Sequence, residues 1–110
     1  MATKRIDLLI DQGATFKVVV AIKDSTGATR SLIGYTASMQ ARESIANVAT
    51  LFSITPDVDG PNGLVTINIP FATTTAYTWQ RGVYDLEISN GTEVERVLEG
   101  NIFVSPEVTR

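Results

Sequence analysis

Apolar residues recur at every second position along most of this chain, the period of a strand that buries one face. Ile6, Leu8 and Ile10 alternate with Asp7, Leu9 and Asp11; after Gln12-Gly13 the pattern resumes with Phe16, Val18, Val20 and Ile22. "DSTGA" (24–28) is rich in turn residues and predicts a reversal. Tyr35, Ala37, Met39 and Ala41 then take one side, and Thr36, Ser38, Gln40 and Arg42 the other, with Gly34 marking a bend before them. Phe52 and Ile54 form a shorter strand closed by Thr55-Pro56. "PDVDGPNG" (56–63) predicts a loop, and Val65, Ile67 and Ile69 a further strand that Pro70 ends, since proline cannot donate to a ladder. "FATTTAY" (71–77) is the one candidate helical turn, weakened by three threonines. Residues 44–50 read either as a loop or as the edge of a strand.

The last two strands form one ribbon, "GVYDLEISNGTEVERVLEGNIFV" (82–104), folded about Asn90-Gly91. A two-residue turn there is the default for this dipeptide. It would set Ile88 against Glu93 and Leu86 against Glu95. An odd-length loop instead sets Ile88 against Val94 and Tyr84 against Leu98, apolar to apolar, and is preferred because register must respect the buried face. Arg96 then falls opposite Leu86, so either a bulge near Arg96-Val97 turns it outward or its stem lies along the core rim. At the entry to the ribbon, Tyr84 suits a structural corner, with its ring buried and its hydroxyl returned to the backbone.

Together these elements predict an all-β chain. The expected architecture is a single immunoglobulin-like antiparallel β-sandwich of about seven strands, with one short helical turn near 71–77. At 110 residues the chain has the length of one domain, so 1–110 is read as one sandwich with extended N- and C-terminal ends. The hydrophobic fraction of 44% argues against disorder.

Charge narrows the choice of partner. The formal net charge is −3 and the basic residues are scattered apart from Lys4-Arg5, so no clustered surface for nucleic acid or acidic membranes is expected. The apolar patch before Asp11 is too short for a signal-peptide core, and "VVVAI" (18–22) is far short of a membrane span. Without cysteine there is no disulfide, which fits synthesis in a cytosol.

The absence of histidine and cysteine closes Ser-His, Cys-His and most zinc arrangements. Asp85 and Glu87, with Glu93, Glu95 and Glu99 nearby, are the remaining candidates for acid–base work. A solvated strand face accounts for them, and a catalytic acid would need burial or a close like charge. Asp57, Asp59 and Asn62 around Gly60 offer oxygen ligands of the kind Ca²⁺ prefers, but they lack the rest of an EF-hand set and are also ordinary turn residues. Gly60-Pro61-Asn62-Gly63 is not followed by Lys-Ser/Thr, which excludes a phosphate loop. Tyr77 and Trp79 suggest either an aromatic shelf for a glycan or, more commonly, a cap on one end of the core. The expected reading is a non-enzymatic chain with no catalytic residues, cofactor or metal.

The order of features carries a resemblance. "PNGLVTINIP" is followed by a short helical turn, by "GVYDLEI", by a Gly-bearing turn and by "LEGNIFVSPEVTR". This resembles small β-sandwich proteins of tailed bacteriophages, similar to the N-terminal domain of phage baseplate upper proteins and related tail, fibre and neck components. The likeness runs from about Gly13 to Arg110, with the most specific matches at Val83–Glu87, Asn62–Ile67 and Ser105–Arg110. It implies a non-enzymatic virion structural protein, made in the host cytoplasm, that joins other virion proteins (tail, baseplate, neck or capsid) as multiple copies in a symmetric assembly. Baseplate upper proteins continue into a fibre-forming region, so the likeness points to an adaptor or attachment subunit of the tail, baseplate or fibre joint. A head-surface decoration or neck protein of the same fold is the alternative, and a cell-surface glycan-binding module a second. Leu9, Val19 and Ala21, apolar at outward positions, are the expected contact residues, joined by Pro106 and Val108 of the tail.

Overall fold

Nine strands and one short helix form in the computed structural model, which describes residues 3–109. In chain order they are β1 (Lys4–Arg5), β2 (Leu8–Asp11), β3 (Phe16–Ala21), β4 (Thr36–Arg42), β5 (Phe52–Ile54), β6 (Asp57–Asp59), β7 (Leu64–Ile69), α1 (Phe71–Thr75), β8 (Arg81–Ser89) and β9 (Val94–Ser105). A large sheet runs in the order β1-β9-β8-β4-β5, with β2 also on β9, and a small sheet runs β3-β7-β6. The two sheets face each other as an all-β sandwich, as the alternation predicts. Among the described residues no helix is long and apolar enough to cross a membrane.

The inward row of each strand supplies the core. Met39, Leu86, Leu98 and Ile102 of the large sheet and Val65, Ile67 and Ile69 of the small one are at most 1% exposed. Each such side chain contributes roughly 1.5–3 kcal/mol by leaving water, which makes these facing rows the main stabilising feature.

Two strands, β1 and β6, lie outside the predicted set, and the pairing of β2 differs from it. β1 and β2 pair with β9 in parallel, Lys4 with Leu98 and Leu8 with Ile102, so the sandwich is not wholly antiparallel. Between them the chain kinks at Ile6-Asp7: Ile6 is 40% exposed rather than inward, and an Asp7 carboxylate oxygen accepts the Asn101 N–H in place of the backbone. β6 lies in the stretch predicted as loop, because Asp57 and Asp59 pair with Thr66 and Leu64 of β7. Residues 43–50 form a loop.

The terminal hairpin also departs from expectation. Ser89 pairs with Val94 and Ile88 with Glu95, which leaves a four-residue loop, neither two nor odd in length. Asn90 organises it, its side-chain oxygen accepting the Thr92 and Glu93 N–H groups. Past the loop a bulge at Val97 shifts the register, and Leu86 then faces Leu98 and Tyr84 faces Gly100. The bulge places Val97 and Leu98 both inside and leaves Arg96 opposite Glu87 with its side chain 52% exposed. The helix α1 is a single short segment after Pro70, with no side-chain cap.

Candidate functional site

The acidic residues of the ribbon divide among three places. Asp85, Glu87 and Glu99 lie on the outer face of the large sheet, where Asp85 pairs with Glu99 across the strands. Arg96 Nε stands 3.5 Å from Asp85 and its Nη1 3.2 Å from Glu99, while Arg5 reaches Glu99 from the other side at 3.4 Å. The hydrogen bond to Glu99 and the charge of Asp85 raise the Arg96 pKa. These residues, with Gln40 and Arg42, line a shallow groove of about 400 Å³. Arg96 set between Asp85 and Glu99 makes an ion-pair network on this face.

Glu93 lies in the exposed loop. Glu95 is carried to the inner side, where Arg30 holds it with two parallel bonds of 2.8 Å and also donates to the Tyr35 hydroxyl at 3.1 Å. The Arg30 bonds hold the Glu95 carboxyl below its ordinary range, outweighing the opposing effect of burial. Sequence reading missed this pairing because the four-residue loop reverses which side Glu95 takes.

Asp57 and Asp59 project from β6, and the Asn62 side-chain amide donates to Asp59 at 3.0 Å. The loop between β6 and β7 is a tight reversal, with Gly63 at φ +64 and its N–H directed to the Gly60 carbonyl. Among the described residues no group of three or more acidic side chains is arranged to hold a metal ion.

Tyr77 and Trp79 pack on Phe52 with ring centroids 6.0 and 6.1 Å away, and on each other at 5.2 Å. All three rings lean on the core, and the Tyr77 hydroxyl and Trp79 Nε1 are buried without a protein partner. Burial raises the Tyr77 pKa. The rings build the side of the sandwich rather than a flat exposed shelf.

Tyr84 is 4% exposed, and its hydroxyl donates to the Ile6 carbonyl at 2.5 Å. Burial first, then the nearby charge of Asp7, pushes its pKa up to about 12, so it remains a neutral donor. Gly100 faces it across the strands, and a Cβ there would come within 2.1 Å of the same carbonyl oxygen. The kinked N-terminal segment fits against β9 only because that position lacks a side chain.

The expected contact residues fall on separate surfaces. Leu9, 58% exposed, lies outward on the large sheet, beside Phe103. Val19, 53% exposed, and Ala21 lie outward on the small sheet, beside Thr66 and Leu64. In the tail, Pro106 and Val108 are exposed on either side of Glu107, whose N–H is held by the Gln12 side-chain oxygen at 2.8 Å. Sequence reading did not single out Ile45 and Val48, which stand 90% and 92% exposed on the 43–50 loop that the Arg42 guanidinium ties down through the Asn47 and Val48 carbonyls.

No protein-family profile and no curated protein matches this chain. Among solved structures it is similar to the crystal structure of an uncharacterized protein from Bacillus anthracis str. Ames, at 13% identity over 94% of this chain and 85% of that one, with a TM-score of 0.41. A likeness at that level carries no functional argument.

Proposed function

We propose that this chain is a non-enzymatic structural subunit of a tailed-bacteriophage particle, an adaptor of the tail, baseplate or fibre joint that works through protein–protein contacts. The observation that carries the reading is the placement of exposed apolar side chains. Leu9 sits on one outer face, Val19 on the other and Val108 on the tail, each more than half exposed. Outward strand positions of the large sheet are mostly polar or charged, Val83 and Phe103 apart, so exposed apolar groups on both faces suit a subunit held between neighbours. The order of motifs from "PNGLVTINIP" to "SPEVTR" supports the phage assignment by resemblance.

Quantitative mass spectrometry of purified particles from the source phage tests the proposal. The expected result is this chain at a fixed ratio close to that of neck, baseplate or fibre proteins. A ratio near that of the capsid protein would move it to the head surface as a decoration subunit. Absence from the particle would overturn the structural reading.

A further inference from the structure

The two sheets have four edges among the described residues, and three of them are poor templates for pairing. β5 and β6 are three residues each, and the β1–β2 side is broken by the Ile6-Asp7 kink. β3 differs. It has six residues, "FKVVVA", pairs with β7 alone, and carries no proline, bulge or inward charge. These are the usual devices that protect an edge, and only the outward Lys17 remains of them.

The core is open along the same edge. Phe16, Val18 and Val20 point inward but stay partly exposed, whereas their cross-strand neighbours Ile69, Ile67 and Val65 are 1%, 0% and 0% exposed. The backbone polarity is also fixed. Ile22 sends its N–H to the carbonyl of Gly63, the residue that leads into β7, so its N–H faces the β7 side. By alternation the backbone groups of Val20, Val18 and Phe16 face β7 as well, and those of Lys17, Val19 and Ala21 face outward from the sheet edge.

We infer that the β3 edge is a homotypic docking site, pairing antiparallel with β3 of a second copy about a two-fold axis at Val19. In this register Val19 meets Val19 of the other copy and Lys17 meets Ala21, which brings together only residues whose N–H and C=O groups are free. About six backbone hydrogen bonds form. Val18 then faces Val20 and Phe16 faces Ile22 across the joint, closing the exposed inner row with apolar groups. Centring the axis one residue later would oppose Lys17 and Lys23, which disfavours that register. The two small sheets become one continuous six-stranded sheet. The inference concerns self-association and holds whichever particle, or none, contains the chain.

Sedimentation velocity up to millimolar concentration tests it, with the whole chain and the variants Val19→Lys and Val19→Glu. Val19 is outward and half exposed, so circular dichroism should show both variants folded. The wild type should dimerise reversibly, and either variant alone, placing like charges at the axis, should weaken the dimer at least about tenfold. An equimolar mixture of the two should dimerise again, because only a joint that sets position 19 against itself pairs Lys with Glu. A wild type that stays monomeric, a dimer indifferent to both variants, or a mixture that fails to recover would each overturn the inference.

Discussion

The two sheets draw on similar aliphatic strands, yet they treat their edges in opposite ways. In the large sheet β9 is flanked on both sides, by β8 and by the N-terminal strands β1 and β2. That closure uses specific parts: Gly100 for clearance, Tyr84 to satisfy the Ile6 carbonyl, and the Asp7 side chain to accept the Asn101 N–H. In the small sheet no strand among the described residues adds to the outer side of β3, and the inner row there is left half covered. One sheet is completed within the chain, while the other offers an incomplete edge. Stability should therefore concentrate around β9, β8 and β7, and association around β3.

Adjacent residues on β7 and β3 give the largest contrast. Ile67 is fully buried and pairs with the partly exposed Val18. Ile67→Ala should cost about 4 kcal/mol in denaturant unfolding, through lost transfer energy plus a cavity that the surrounding strands cannot fill. Val18→Ala should cost only about 1 kcal/mol at concentrations where the chain is monomeric, since water already reaches part of the site. Equal losses would mean that the β3 edge is as closed as the rest of the core.

Closure of β9 by the N-terminal segment is tested next. Gly100→Val should destabilise by about 3 kcal/mol, because the new side chain meets backbone at Ile6 that cannot move aside without peeling the strand. Amide hydrogen exchange should then speed up first in Leu8–Asp11. Tyr84→Phe keeps the ring and removes only the donor to Ile6, leaving a carbonyl with one partner fewer in a partly buried place. About 2 kcal/mol is expected, with the same local pattern of exchange. Loss of protection spread evenly over both sheets would show that the segment is not a separate closure.

What the sequence made legible follows the same division. The inward rows of β4, β7 and β8 stand out because each is a run of strict alternation. "GVY" was enough to place Tyr84 at a structural corner because a tyrosine at a strand entry needs somewhere to put its hydroxyl. The parallel pairing of β1 and β2 was hidden, since it joins residues 94 apart and interrupts its own alternation at Ile6-Asp7. β6 was hidden because Asp57 and Asp59 are turn formers by propensity, and tertiary pairing with β7 overrides that preference. The bulge near Arg96-Val97 that turns Arg96 outward was legible, but the loop length was not: four residues instead of an odd number set Glu95, not Val94, opposite Ile88. An odd loop assigned Glu95 outward; in the observed register Glu95 turns in to Arg30. The dispersal of Leu9, Val19 and Val108 over three surfaces was beyond reach, because outwardness can be read from period alone but not which sheet a strand joins.

The two charged groups just before that bulge give the smallest and most discriminating effects. Glu95 has a folded pKa below its unfolded one, so its pairing with Arg30 contributes stability above the ordinary carboxylate range and loses it as pH falls through the folded value. Glu95→Gln should cost up to about 1 kcal/mol at neutral pH and almost nothing once the wild-type carboxyl is protonated. The difference between the two proteins should thus shrink on acidification in urea unfolding curves measured at several pH values. Arg96 on the outer face is half exposed and contacts Asp85 and Glu99 at 3.5 and 3.2 Å. Arg96→Ala should change stability less than Glu95→Gln does at neutral pH, and added salt should erase most of the change. If Arg96 proved the costlier loss, the polar outer face of the large sheet would be a cohesive element in its own right. The division between a sheet closed by its own chain and one left open at β3 would then have to be redrawn around that face.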